Sequence, residues 1–151
     1  VIAVDTNILV YAHRFEAPFN QAAFERLTEL ANGTAAWGIP WPCLHEFLGV
    51  VTSPRAFPLP TSLERALGQI EIWLESPSLV LLTESPTHWT TLRAILVESA
   101  ITGPRVHDAR IAALCRQHGV RELWSADRDF SRFAGLKVVN PLIGQSGFHE
   151  Q

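Results

Sequence analysis

The sequence predicts an α/β fold built on a parallel sheet with helices on both faces. Three observations predict it. Short apolar runs of strand length, beginning with residues 1–4, alternate along the chain with segments of helical period. The runs are apolar throughout rather than at every second position, as expected of strands buried on both faces. The 151 residues, 47% hydrophobic and 18% charged, suffice for one sizeable core and exclude a disordered chain.

The elements follow in order. Residues 1–4 read as a buried strand ending at Asp5, which is a preferred N-cap for a helical segment over 8–12. A helix is predicted over 21–31, with Asn20 as N-cap, Gly33 as stop, and Ala23, Phe24, Leu27, Leu30 and Ala31 as its inward stripe. Residues 35–39 suit a second strand. Pro42 then opens a strongly apolar helix over 43–51 that carries Glu46, and three prolines make 53–60 a loop. Thr61 and Glu64 form a capping box for a helix that turns Leu63, Ala66, Leu67, Ile70, Trp73 and Leu74 inward. A strand at Leu79–Leu82 precedes a helix over 87–100 with Trp89, Leu92, Ile95 and Leu96 inward. Gly103 and Pro104 break the chain before a helix over 105–118, and strands at Glu122–Trp124 and 136–139 close the pattern. No repeat or long linker divides the chain, so 1–151 reads as one domain whose last stretch, about eight residues, is a loose tail.

Four carboxylates stand out against this frame: Asp5 in VIAVDTN, Glu46 in CLHEFLG, Asp108 in VHDARIAAL and Asp127 in LWSADRDF. Each interrupts or borders an apolar run, where burying an unpaired charge costs on the order of several kcal/mol. Each also has an ordinary explanation: a helix cap for Asp5, a buried arginine partner for Glu46, a favourable first-turn acid for Asp108, a solvated turn for Asp127 and Asp129. Together they point to a shared cation, and an all-oxygen donor set selects a hard one, Mg²⁺ or Mn²⁺. The surroundings of Glu46 are almost wholly apolar, so its side chain is expected to point inward. Asp5 and Asp127 each follow a predicted strand, at the carboxyl edge of the sheet where sites of parallel α/β folds gather.

In their order and spacing these residues resemble the PIN-domain ribonucleases, and more narrowly the VapC-type toxins of bacterial toxin–antitoxin systems. Asp5-Thr6-Asn7 resembles the family's opening motif, Glu46 its helical glutamate, Asp108 in DARIAAL its third acid, and Ser125-Ala126-Asp127-Arg128-Asp129-Phe130 its closing element. The resemblance covers nearly the whole chain. It implies a three-layer α/β/α sandwich with a mainly parallel sheet, Mg²⁺ or Mn²⁺ dependence, endonucleolytic cleavage of RNA, a VapB-like antitoxin partner and commonly a homodimer. Asn7 and Ser125 are expected to support the acids, with Asp129 as a further ligand. Arg14, Arg110, Arg128 and Arg132, with Arg55 and Arg105 behind them, are candidates for RNA phosphate contacts. His107 neighbours Asp108, but one helical residue turns it about 100° away. Trp41 is a candidate for stacking on a base, with a place in the core as the alternative.

Composition bounds the rest. The formal charge of −3 argues weakly against a polyanionic partner, yet setting the five acids aside leaves the remainder positive. No apolar run reaches membrane-spanning length and no secretory pattern opens the chain, so a cytoplasmic location without membrane attachment is expected. No methionine occurs, so Val1 is expected to be the second residue of the gene product. Cys43 and Cys115 lack zinc or redox spacing and read as reduced core residues. A PIN fold that has lost catalysis and serves as a binding module would be marked by missing acids, and all are present. A small-molecule phosphatase would want a second acid two residues after Asp5, where the chain has Asn7.

Overall fold

The computed structural model describes residues 1–143; the expected tail lies outside the described residues. Five short strands form one wholly parallel sheet: β1 (Ile2–Val4), β2 (Trp37–Pro40), β3 (Leu79–Leu82), β4 (Glu122–Trp124) and β5 (Lys137–Val139), in the order β3-β2-β1-β4-β5. Six helices connect them: α1 (Thr6–His13), α2 (Asn20–Asn32), α3 (Trp41–Val51), α4 (Leu63–Leu74), α5 (His88–Glu98) and α6 (Val106–Gln117). The path from β1 through β2 to β3 runs one way across the sheet, and the chain then returns to place β4 beside β1. Right-handed crossovers therefore put α1–α4 on one face and α5 and α6 on the other. The packing agrees: α1 contacts α2 and α3, α3 contacts α4, and α5 pairs with α6. This is the predicted three-layer sandwich.

The central strands read as they do because both faces are covered. Ala3, Val4, Trp37, Ile39 and Leu123 are fully buried, and α6 adds Ala109 and Ile111 through Cys115. At Gly38 a β-carbon would stand 3.0 Å from Leu82 Cδ2, so the residue's smallness lets β3 close on β2. Both cysteines are free and buried, as their spacing predicts.

Several local expectations are corrected. Asn20 does not cap α2; Phe19 does, in a left-handed conformation (φ 63°). The Asn20 amide donates instead to the Tyr11 and Ala12 carbonyls, satisfying the end of α1. Ser62, not Thr61, caps α4 by accepting from the Arg65 N–H, while Thr61 Oγ1 accepts from Arg14 and bonds to His13. Of the apolar stripes, Phe24 (58% exposed) and Trp89 (65%) face outward, as do Leu63, Leu67 and Leu74. Short helices on a small sheet bury a narrower arc than their apolar residues cover. Among the described residues no helix is long and apolar enough to cross a membrane.

Candidate functional site

The strand order reverses between β1 and β4. A crevice opens at such a point beyond the carboxyl ends of the two strands. Asp5 follows the first of them and Ser125 to Asp127 the second, and the Asp5 N–H donates to the Trp124 carbonyl at 2.9 Å, binding the two exits together. Asp5, Glu46, Asp108 and Asp127 all line one open cavity of about 680 Å³ there, with Asn7, Tyr11, His45, His107 and Arg110 among its other walls. Four acids drawn from four separate stretches of sequence thus share one space.

Asp5 is held most completely. Its side chain is buried, 7% exposed. Oδ1 accepts from the Thr6 N–H at 2.8 Å, which makes it the N-cap of α1, and from the Cys43 thiol at 3.6 Å. Oδ2 accepts from Ser125 Oγ at 2.7 Å and from Asn7 Nδ2 at 3.4 Å. Cap and site residue are therefore one. Burial raises the Asp5 pKa above its ordinary 3.8, the hydrogen bonds from Ser125, Thr6 and Cys43 pull it back, and the Glu46 charge adds to the rise. Burial, and then the Asp5 charge, push the Cys43 thiol well up, so its proton stays on sulfur and available to Asp5.

Ser125 and Asn7 tie this carboxylate to the turn that follows β4. Ser125 Oγ gives its one proton to Asp5 and accepts from the Asp127 N–H at 3.0 Å and from Asn7 Nδ2 at 3.3 Å. Asn7 Oδ1 accepts from the Ala126 N–H at 3.2 Å. Asp127 then caps a short 3-10 turn over Arg128–Arg132, its Oδ1 accepting from the Asp129 N–H at 2.9 Å.

Glu46 corrects the expectation of inward burial. It is exposed on α3 beside His45, while Cys43, Leu44, Phe47 and Val51 form that helix's buried face. The residue lines the cavity and has no hydrogen-bond or ion-pair partner among the described residues. Asp108 is half-buried in the first turn of α6. Burial raises its pKa, the Asp127 charge raises it further, and Arg105 opposes both. Asp129 is exposed, pairs with Arg105 and is absent from the cavity wall; that hydrogen bond holds its pKa below the usual value.

The basic residues divide. Arg110 lines the cavity and lies 3.8 Å from Glu84. Arg14 turns away from it, pairing with Glu16, donating to Thr61 and the Leu59 carbonyl and stacking over Phe57. Arg128, Arg132 and Arg55 are exposed outside the cavity. His107, expected to turn away from Asp108, lines the wall with it, as does His45, which the sequence did not mark; His45 sits beside Trp41, which is 38% exposed and not a core residue. Tyr11 on α1 is a further lining residue that no local motif marks.

Among the described residues, no three His, Cys, Asp or Glu side chains stand close enough to hold a metal as placed. The chemistry of the set nevertheless fits a hard cation: its donors are all oxygens, and the charges of Glu46 on Asp5 and of Asp127 on Asp108 raise both pKa values.

Comparison with known proteins agrees with this architecture. The family profile described as PIN domain matches residues 2–136. A VapC ribonuclease of Mycobacterium bovis is 34% identical over 146 residues, covering 97% of this chain and 99% of its own. Ribonuclease VapC48 of Mycobacterium tuberculosis is 31% identical over 140 residues, covering 93% and 97%. Among solved structures, VapBC2 from Rickettsia felis, bound to a promoter DNA fragment, superposes with a TM-score of 0.64 at 19% identity, covering 91% of this chain and 96% of its own. The sarcin–ricin-loop-cleaving toxin VapC20 of Mycobacterium tuberculosis gives 0.62 at 19%, covering 91% and 99%. At such identity these two show the fold alone.

Proposed function

This chain belongs to the PIN-domain family, among the VapC-type proteins, and from that premise we propose that it is a divalent-metal-dependent endoribonuclease, the toxin of a toxin–antitoxin pair. One observation carries the reading: Asp5, Glu46, Asp108 and Asp127 face a common cavity at the switch point of the sheet. The curated relatives named ribonucleases match along almost the whole chain, which supports the same activity.

Asp5, Glu46, Asp108 and Asp127 would hold Mg²⁺, or Mn²⁺ in its place. Bound there, such an ion supplies positive charge to the phosphate and lowers the pKa of an attacking water. The chain's own residues do the rest. Ser125, Thr6, Asn7 and Cys43 fix the two oxygens of Asp5 so that they need not reorganise during the reaction. Glu46, which lines the cavity, would take a water proton on a carboxylate oxygen. Arg110 on the wall meets the RNA phosphates, its fork matched to their oxygens. Water adds to phosphorus and gives its proton to Glu46, while the P–O3′ bond breaks and the departing oxygen takes a proton from solvent, leaving a 5′-phosphate and a 3′-hydroxyl. The scaffold reading, a silent PIN fold, lacks its expected mark, because no acid is missing.

The antitoxin, a VapB-like protein, would silence the site by sending a basic side chain into the carboxylates, and a second copy of the chain would complete a homodimer. VapBC and FitAB complexes among the structural neighbours supply the precedent for an antitoxin. Purified protein freed of its partner is expected to cut RNA in Mg²⁺ or Mn²⁺, stop on addition of EDTA and leave 5′-phosphate ends. Cleavage persisting in EDTA, or products ending in a cyclic phosphate, would contradict this reading.

A further inference from the structure

The two sides of the cavity differ in how their charge is balanced. The Asp5 and Glu46 side has no cationic partner among the described residues. On the other side, Arg105 spreads its guanidinium between two acids: Nη1 donates to Asp108 Oδ2 at 3.2 Å, and Nη2 donates to Asp129 Oδ2. These partners lie 3 and 24 residues along the chain, so one side chain joins the start of α6 to the turn after β4. That turn carries Asp127, whose Oδ1 already accepts from the Asp129 N–H. Arg105 sits on a 3-10 segment, Gly103–Arg105, that runs directly into α6. Its position is set by the same backbone that presents Asp108.

We propose that Arg105 is a positioning residue with two tasks: it clamps the Asp127–Asp129 turn against the first turn of α6, and it withholds Asp129 from the cation by claiming that carboxylate itself. Arg105 thereby sets the charge of the centre. With Asp129 neutralised, four acids face the cavity instead of five, and the positive fork beside Asp108 offsets part of that acid's charge. An Arg is suited to this where a Lys is not, because only the planar fork reaches two carboxylates in fixed directions. The cost is a weaker hold on the ion, and the return is one defined arrangement of Asp108 and Asp127. This inference rests on the metal-dependent reading above.

The test compares wild type, R105Q and R105K, all freed of partner and metal, by calorimetric titration with Mn²⁺ and by amide hydrogen exchange without metal. Removing a positive charge beside the acids is expected to tighten Mn²⁺ binding in R105Q, by about fivefold. A purely structural residue would not tighten it. R105K, which keeps the charge but loses the fork and so frees Asp129, is expected to tighten Mn²⁺ binding by about half as much as R105Q, and wild-type affinity in R105K would reduce the effect of Arg105 to its charge. Both variants lose the fork, so exchange at the Asp129 and Phe133 amides is expected to quicken in both, by about tenfold. Unchanged or weakened Mn²⁺ binding in R105Q overturns the withholding of Asp129, and unchanged exchange overturns the clamp. A wild type that binds no Mn²⁺ refutes the functional reading and the withholding with it, and the clamp is then decided by the exchange rates alone.

Discussion

Asp5 and Asp108 line one cavity, and the protein holds them by opposite means. Asp5 is buried and held by neutral donors: a backbone N–H, a serine hydroxyl, an asparagine amide and a thiol. Asp108 is half-exposed and held by charge, through Arg105. A buried acid cannot take a full counter-ion cheaply, because a second charge would have to be desolvated as well. Neutral donors leave its negative charge intact for a cation. At the rim water screens the charges, so a salt bridge can orient an acid without cancelling it. The buried half is thus built for fixed geometry and the rim for adjustable charge.

The largest effect that tests this contrast is on catalysis. Asp5→Asn, Asp108→Asn and Glu46→Gln each keep side-chain shape while removing one negative charge from the cavity. Each is expected to lower kcat on an RNA substrate by at least about a hundredfold, roughly 2.7 kcal/mol of transition-state stabilisation. If both walls serve one centre, the two aspartate variants suffer alike. A near-normal kcat in either would separate the walls.

What the sequence revealed and concealed follows from the same contrast. Asp5 was legible because an acid directly after an apolar run has few ordinary reasons to be there, and the strands at Leu79–Leu82 and Glu122–Trp124 fall where apolar run length put them. Glu46 was legible as a site residue but placed wrongly, as buried. Its helix is apolar nearly all round, and periodicity cannot tell a cavity-facing side from a core-facing one. Phe24 and Trp89 misled in the same way, since an apolar residue in a helical stripe reads as inward whether or not anything covers it. Arg105 was no more than one arginine among six, because its partner Asp129 stands 24 positions away and no local pattern links them. Cys43 read as inert packing, and its hydrogen bond to Asp5 spans 38 residues.

A smaller effect distinguishes the two kinds of support. Ser125→Ala removes the shortest donor to Asp5 and an acceptor for the Asp127 N–H, both in a buried setting. It is expected to cost about 1–2 kcal/mol of stability and about tenfold or more in kcat. Asp129→Asn, at the exposed rim, is expected to lower kcat by less than about tenfold, with melting temperature nearly unchanged. Chemical denaturation and steady-state rates on the two variants check the ranking, and equal losses would erase the distinction between buried and rim support.

The smallest effect is on stability against pH in metal-free protein. The pKa values of Asp5 and Asp108 are raised above 3.8 in the folded state, so below pH 3.8 both groups are protonated in either state and cost nothing. As pH rises from 3.8 through the raised values, the unfolded chain gives up its protons first, and stability falls. Asp108→Asn is therefore expected to melt higher than wild type at pH 7 without metal, and to lose that advantage as pH falls toward 3.8. Paired thermal melts across this range measure the difference. An advantage that persists at low pH would assign it to something other than charge.

The central claim, that acids from both walls serve one cation, is tested most directly by calorimetric titration of Mn²⁺ into wild type, Asp5→Asn and Asp108→Asn. Saturable binding is predicted for wild type, with affinity reduced by at least about tenfold in both variants, the buried acid and the rim acid alike. Wild-type affinity retained in either variant would mean that its wall does not contribute to the site, and would contradict the account.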